Sequence, residues 1–590
     1  MPMLEEIKDL RKKRIYRFLE SIIGISTIGF LVLILFLSIS SQFSLIGPTI
    51  LSIFLIIYSF FWVLKFSLNL IHTIFTYQQT RRWENMNWIK FWNVYSKDRQ
   101  LAYKMLEKLR DKFKTRIGWE KDINREINFL KSNSGSKFTD INNIKHVAIF
   151  SVVKEPPEVL LRSLETLYES GYDLDKIVVF VTQEARAGEE FNNKTIEIAK
   201  QNPNFQVYSW KETDLDKVYG QSHFGLNYSN KLAAKHLWTK EKLTVIFTQH
   251  PDGLIGEIKG KASNEDWGAR QASLWLKSRG EDEQMVLTTS FDADSKVCPQ
   301  FFHNLSYKFA VTENRFRSGY QPVHVYSNNF FETGMWPRQV ASENTLSNMK
   351  NMGLEGEAYL FAIYSVPLVT LQEVNFWQRE VIAEDSMLFI KCLTLLKGDF
   401  KIVPYFGIHE GDAVEADDYF EAISNQYKQL QRWAWGGIEN FPYMAYHFFF
   451  SPYGKHISLR ERLKHVFLLF SNHFYWATTA LLFSAGIVLP QILGGEVFRQ
   501  QPISQNLSIF AQYFAWIGYI FAIIYGYITF RFLSYRAMKN YKISFYQTLL
   551  LVIQWSFFPI VFGLMSFPAL DAQIKGIRGK YLGYWVTPKK

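Results

Sequence analysis

Residues 285–294 read MVLTTSFDAD. Met285 to Ser290 is a short run rich in apolar and β-branched side chains, as a buried parallel strand should be. Asp292 and Asp294 stand where such a strand leaves its sheet. His146 to Val153, Lys176 to Thr182, Phe205 to Trp210 and Thr244 to Gln249 have the same character. Helical patterns lie between them: Glu158 to Ser170 places Leu161, Leu164 and Tyr168 on one face and stops at Gly171, and Ser263 is expected to cap a helix running to Arg279. This alternation predicts an α/β fold, a mainly parallel sheet with helices on both faces, whose ligand site lies at the carboxyl ends of the strands.

Outward from that core the composition changes. The chain has 590 residues, 48% hydrophobic and only 21% charged, which is too long for one domain and too apolar for disorder. Every residue from Ser21 to Leu64 is uncharged. That run is far longer than the apolar core of a cleavable signal peptide and fits two membrane crossings at roughly 20 residues each. His465 to Gly495, Gln500 to Phe530 and Ile543 to Leu570 are three further uncharged runs. Basic residues flank them: Lys8, Arg11, Lys12, Lys13, Arg14 and Arg17 before the first run, Arg81 and Arg82 after the second, Arg460, Arg462 and Lys464 before the third, and Arg531, Arg536, Lys539 and Lys542 after the fourth. By the positive-inside rule the central domain faces the cytoplasm. A full crossing by the last run would put Lys575, Arg578, Lys580, Lys589 and Lys590 outside, whereas Pro559 and Pro568 permit a bent or re-entrant segment, so five and six crossings both stay open.

The net charge of +11 sits largely beside these segments, where anionic lipid accounts for it, and this argues against a nucleic-acid partner. Cys298 and Cys392 are too far apart for a disulfide framework or a metal-binding pair. Beyond His72, His465 and His473 the spans hold hardly any ionisable side chain, which argues against coupled transport.

Three signals carry chemistry, and each has a bland reading beside the functional one. Asp292 and Asp294, two apart in extended backbone, point the same way and can share one hard cation with its phosphates; equally, Asp is favoured in turns. Glu384 and Asp385 precede a helical run from Ser386 to Lys397 and can be acid–base groups or first-turn residues that complement a helix dipole. Gln429, Arg432 and Trp433 share a helical face by their spacing of three and four, and an Arg beside a Trp also suits a membrane-interface anchor.

Taken in order on an α/β domain fenced by membrane spans, these signals resemble the membrane-integrated glycosyltransferases of family 2, the group of the cellulose, chitin and hyaluronan synthases. The resemblance covers about His146 to Asn440. Ser151-Val152-Val153-Lys154-Glu155 stands where that family commonly has Pro-x-Tyr-Asn-Glu, so Glu155 matches. The strand ending in Glu184 lacks the usual Asp-Asp-Gly, and Glu184 is the substitute there for reading the base. Gly260-Lys261-Ala262 is similar to the Gly-Lys-Ala segment, Asp292 and Asp294 to Asp-x-Asp, Glu384 and Asp385 to Thr-Glu-Asp with Ala383 for Thr, and Gln429, Arg432 and Trp433 to Gln-x-x-Arg-Trp.

What the resemblance implies is a GT-A type nucleotide-sugar-binding domain inserted between transmembrane helices. The expected order is a basic N-terminus (1–20), two spans (21–75), a helical linker (76–145), the transferase domain (146–440), interfacial helices (441–464), about three crossing or re-entrant segments (465–570) and a basic tail (571–590). Mg²⁺ or Mn²⁺ is held by Asp292 and Asp294. The nucleotide sugar is bound by Glu155, Glu184, Lys261, Asp292 and Arg432, and the glycan or lipid-linked acceptor by Gln429 and Trp433. Asp385 is the general base, with Glu384 tuning it, in a single displacement with inversion. The implied setting is polysaccharide synthesis at the cell membrane. A transferase adding one sugar to a lipid carrier, and a catalytically silent membrane protein that binds a nucleotide or polymer, remain the alternatives, and accessory subunits are unspecified.

Overall fold

In the computed structural model, which describes residues 4–587 apart from 41–43, 113–118, 133–142, 214, 220–239, 355, 357, 484–487, 538–543, 547–548, 550–552 and 555–557, all five expected strand runs form strands. They are β1 (Lys145–Val152), β2 (Ile177–Glu184), β3 (Phe205–Ser209), β4 (Leu243–His250) and β5 (Val286–Phe291). Four more join them among the described residues: β6 (Lys296–Val297), β7 (Ser318–Val325), β8 (Tyr364–Pro367) and β9 (Lys401–Glu410). The sheet order is β3-β4-β2-β1-β5-β8-β7-β9-β6. From β3 to β5 every pairing is parallel, β8 is antiparallel to its neighbours β5 and β7, β7 and β9 are parallel, and β6 closes the edge antiparallel. The late strands escape a sequence reading because prolines interrupt them. Pro322 lies where the β7–β9 register shifts, between Gln321 and Val323, a position at which a missing N–H is tolerated.

Alternation along the strands assigns the helices to faces. Ala148, Phe150, Val179 and Val181 share a core with Leu160, Leu164 and Leu167 of the Pro157–Tyr168 helix and with Phe301, Phe302 and Leu305. On the other face, Gly268 of the Lys261–Ser278 helix lies against Ile149 and Thr182, and Trp275 against Phe180. A Cβ at Gly268 would stand 2.2 Å from Thr182 Oγ1, so only glycine lets this helix lie so close to the sheet. The helix begins at Lys261, two residues before the expected cap, and Ser263 instead donates back to the Ile258 and Gly260 carbonyls. In-register pairing, with Phe150 opposite Phe291 and Gln183 opposite Val152, brings the carboxyl ends of β1, β2 and β5 to one edge.

The chain divides into two units: Phe75–Tyr326 with Asn351–Asp412, which holds the sheet, and Met1–Ile74 with Ser327–Lys350 and Ala413–Thr587, which is helical. Among the described residues three helices are long and apolar enough to cross a membrane: Arg14–Ile39, Ile46–Glu84 and Pro502–Thr529. The run from His465 to Gly495 is not one helix. It is divided between Leu459–Leu481 and a short Leu489–Leu493 helix that opens with Pro490, and residues 484–487 lie outside the described residues. The start of the last run also falls largely outside them, and its remainder is the Phe558–Ile577 helix, which continues past the expected end at Leu570.

Within the helical unit the chain's end returns to its beginning. The Phe558–Ile577 helix runs antiparallel to Leu459–Leu481, since Trp476 Nε1 donates to the Met565 carbonyl at 3.1 Å and Gln573 Nε2 to that of His473 at 3.0 Å. Gly24 meets Ile577 so closely that an added Cβ would sit 2.8 Å from its Cδ1. Tyr581 then donates to Glu20 at 3.1 Å, with the Arg11 guanidinium 3.7 Å over its ring. Tyr581 therefore lies at the same end of this unit as Arg11 and Glu20.

The Arg14–Ile39 helix is about 39 Å long at 1.5 Å per residue, enough to span a bilayer core. A cysteine at Ser44 and one at Gly583 are expected to react with an impermeant thiol reagent from opposite faces of the membrane, with Lys12→Cys behaving like Gly583→Cys. Labelling of Ser44→Cys and Gly583→Cys from one face would contradict the packing of residue 581 on the first turns of the Arg14–Ile39 helix.

Candidate active site

Lys261 opens its helix at the carboxyl edge of the sheet, and its ammonium is the meeting point of the site. Its Nζ lies 2.9 Å from Asp292 Oδ1, 3.1 Å from Glu384 Oε1 and 3.4 Å from Glu265 Oε1, and it donates to the Ala362 carbonyl at 3.4 Å. One positive charge thus faces three carboxylates from three different segments. Burial alone would drive Lys261 toward its neutral form; Asp292, and after it Glu265 and Glu384, overcome this and hold its pKa well above the ordinary lysine value. Glu384 is pushed the other way from a normal carboxylate, to about 8: burial dominates, Lys261 opposes it and the charge of Asp385 adds to it. The two shifts are compatible because the shared ammonium sits closest to Asp292, leaving Glu384 under-neutralised.

Asp385 is half-buried and points elsewhere. Its Oδ1 accepts the Ser386 N–H at 2.6 Å and its Oδ2 the Ala362 N–H at 3.2 Å. Both acids occupy the first turn of the Glu384–Leu395 helix, which starts two residues earlier than the sequence suggests. Ala362 has φ +54°, a left-handed conformation that costs a non-glycine residue of order 1–3 kcal/mol. That conformation aims its N–H at Asp385 while its carbonyl faces Lys261, so the strained residue links the motif base to the motif lysine.

The two acids of Asp292-Ala293-Asp294 differ in setting. β5 ends at Phe291 and the chain turns at once, with the Ser295 N–H bonded to the Asp292 carbonyl at 3.0 Å, so the extended geometry expected to aim both at one target is absent. Asp292 is 40% exposed beside Lys261, whereas Asp294 is buried and its Oδ2 accepts the Asp412 N–H at 2.8 Å. Glu155 and Glu184 reach the same sheet edge without joining the cluster: Glu155 accepts the Val153 N–H at 2.6 Å, and Glu184 is paired with Arg186.

Gln429, Arg432 and Trp433 belong to the helical unit, on the Tyr419–Phe449 helix. Gln429 reaches Thr587 Oγ1 at 3.5 Å and Arg432 donates to Tyr584 Oη at 3.3 Å, while Trp433 packs against an apolar cluster containing Leu430, Val561 and Met565. Consecutive helical residues are about 100° apart, which separates Trp433 from Arg432 despite the shared spacing to Gln429. Sequence reading passed over Glu265, Ala362 and Tyr364. Glu265 had a signal, the four-residue spacing from Lys261 that puts both on one helical face; a strained backbone at Ala362 has none.

Hard oxygen donors in excess over the one buried cation suit a divalent ion. Among the described residues no group of three or more His, Cys, Asp or Glu side chains is arranged to hold a metal ion. Asp292, the exposed carboxylate of the cluster, is the oxygen donor that a divalent cation arriving from solvent would meet.

No family model and no curated protein matches the chain. Among solved structures it is similar to the mannosyltransferase PcManGT from Pyrobaculum calidifontis in complex with GDP-Man and Mn²⁺, at 12% identity and a TM-score of 0.36, over 67% of this chain and 91% of that one.

Glu384 supplies a pH test. Its folded pKa lies above the unfolded carboxylate value, so between about pH 4.5 and 8 the folded state holds the extra proton and loses stability as pH rises. The thermal stability of the wild type is expected to fall from pH 5 to pH 8 relative to that of Glu384→Gln, in which that proton is gone. Parallel curves for the two proteins would show that Glu384 titrates normally.

Proposed function

We propose that this protein is a membrane-embedded glycosyltransferase that moves a sugar from a nucleoside diphosphate sugar to a glycan acceptor, with its sheet unit on the cytoplasmic side. The observation that carries this reading is the convergence of Lys261, Asp292 and Glu384 at the carboxyl edge of a mainly parallel sheet, with Asp385 adjacent. Three short motifs more than a hundred residues apart at their extremes meet there, and an α/β sheet binds its ligands at that edge. The same arrangement is what a GT-A type domain and a family 2 transferase require, and we assign the chain to that type.

In this reading Asp292 would hold Mg²⁺ or Mn²⁺, with Asp294 behind it bracing the turn. When bound, the cation supplies positive charge to the diphosphate as it leaves. Lys261 faces the same phosphates, stabilising the charge that develops on them. Asp385 takes the proton of the acceptor hydroxyl as its oxygen bonds to the anomeric carbon and the bond from that carbon to the diphosphate breaks. The Ala362 and Ser386 N–H groups hold the carboxylate of Asp385 in one orientation for that transfer. Glu384, buried between Lys261 and the base, sets the local charge. No carboxylate nucleophile is needed, so the product is inverted. Gln429, Arg432 and Trp433 keep the acceptor and diphosphate roles that their motif assigns, and Glu155 and Glu184 those toward the nucleotide. Products longer than one added sugar, formed while most acceptor remains unused, are expected if the chain builds a polysaccharide.

Full-length protein in lipid, given a panel of nucleotide sugars and a glycan acceptor, is expected to release nucleoside diphosphate from one of them and to stop in excess EDTA. Undiminished turnover in EDTA would remove the cation from the scheme.

Asp385→Asn keeps the size of the side chain and removes the proton acceptor. Transfer is expected to fall by about 100- to 10,000-fold with donor affinity kept. If more than a tenth of the activity survives, the base is Glu384.

A further inference from the structure

Glu265 is the member of the cluster for which the proposed reaction has no use. Its side chain has no exposed surface. Helix stability does not explain it either. At four-residue spacing an acid is favoured on the N-terminal side of its base, and an ammonium is disfavoured at a helix N-terminus, where the macrodipole is positive. Here Lys261 opens the helix and Glu265 follows, so the pair opposes both preferences. A buried ion pair is also weak evidence for stability, because well-packed apolar residues of similar volume often serve as well or better.

Three elements fix this carboxylate. The Ser290 hydroxyl on β5, two residues before Asp292, donates to Oε1. Tyr364 Oη on β8 donates to Oε2 at 3.2 Å. Trp377 Nε1 in turn donates to that phenol oxygen at 2.7 Å, which directs the phenol proton to Glu265. Glu265 is therefore a carboxylate held in one place within the fold, 3.4 Å from Lys261 Nζ. Asp292, by contrast, is 40% exposed, and in the proposed reaction it turns to the cation. Lys261 then needs a counter-charge that does not leave.

We propose that Glu265 is a positioning residue, an inner counter-charge that keeps the Lys261 ammonium charged and held at the sheet edge when a nucleoside diphosphate and its cation engage Asp292. The inference rests on Lys261 serving the diphosphate, as proposed above. It says that Glu265 acts on the diphosphate of the ligand and not on its nucleoside.

The test is equilibrium binding to the full-length chain in lipid nanodiscs, with UDP and GDP plus Mg²⁺ as probes and uridine and guanosine as their counterparts without phosphate. Glu265→Gln keeps the size of the side chain and one acceptor oxygen, turns an amide N–H2 toward the second hydroxyl oxygen, which can accept from it, and removes the charge. It is expected to melt within a few degrees of the wild type, to bind the preferred diphosphate about tenfold more weakly, and to leave nucleoside binding unchanged. Lys261→Met is expected to lose at least as much, and Glu265→Gln added to Lys261→Met nothing further, because two residues acting through one contact are not additive. Diphosphate affinity within twofold of wild type, an equal loss for nucleoside, or full additivity would each overturn the proposal. Should Glu265→Gln fail to fold, Glu265→Met, an apolar replacement of similar length, is read by the same ratio of diphosphate to nucleoside affinity. A wild-type chain that binds neither UDP nor GDP would overturn the functional reading itself and this inference with it, before any substitution is made.

Discussion

The ammonium of Lys261 carries one positive charge, and Asp292, Glu384 and Glu265 each place a carboxylate oxygen within 3.4 Å of it. Leaving any of these acids ionised and unpaired in a water-poor setting is costly, so the lysine must be delivered to one place with little tolerance. Much of the surrounding structure can be read as that delivery. Gly268 lets the helix that starts with Lys261 press against Ile149 and Thr182, which sets how far its first residue reaches past the strands. β5 delivers Asp292 by ending at Phe291, whose ring stacks on Phe150 of β1 at 4.9 Å. The turn through Ala362 accepts a strained backbone and in return presents a carbonyl to the lysine and an N–H to Asp385.

A single shared cation also leaves the site electrostatically incomplete. Asp292, the most exposed of the three acids, is where additional positive charge can arrive from solvent without disturbing the interior. The buried pair, Glu384 and Glu265, are the acids whose proton affinities rise. Exposure and charge therefore sort three chemically similar groups into an outer ligand and two inner ones.

The parallel half of the sheet was legible because its strands, the edge strand β3 excepted, are buried on both faces, so composition alone marks them. β2, buried along its whole length, is the clearest instance. The remaining half was not, since Pro322 and Pro404 interrupt β7 and β9, and β8 is a four-residue run that ends at Pro367. In the site, residue types with strong chemical identity were visible as motifs: Lys261, Asp292, Glu384 and Asp385. Their division of labour was not, because it depends on burial and on backbone partners: that Asp294 bonds the Asp412 N–H while Asp292 faces Lys261 is decided by where β5 stops, a boundary that periodicity places only to within a residue or two. Ala362 shows the same limit more sharply, since nothing about an alanine announces a left-handed φ.

The close approach of Gly24 to Ile577 has a consequence for biosynthesis. The Arg14–Ile39 helix leaves the ribosome about 550 residues ahead of Ile577, so the part of its surface that Ile577 covers waits for that residue to be made. At typical rates of about 5–20 residues per second, that helix waits on the order of half a minute to two minutes for its neighbour. Glu20, whose charge is met by Arg11 and Arg17 from its own segment, is supplied with counter-ions locally during that interval, and only the Tyr581 contact is deferred. The helical unit is thus assembled as a closure of beginning upon end, and a chain released before residue 577 would carry an exposed glycine groove into the membrane.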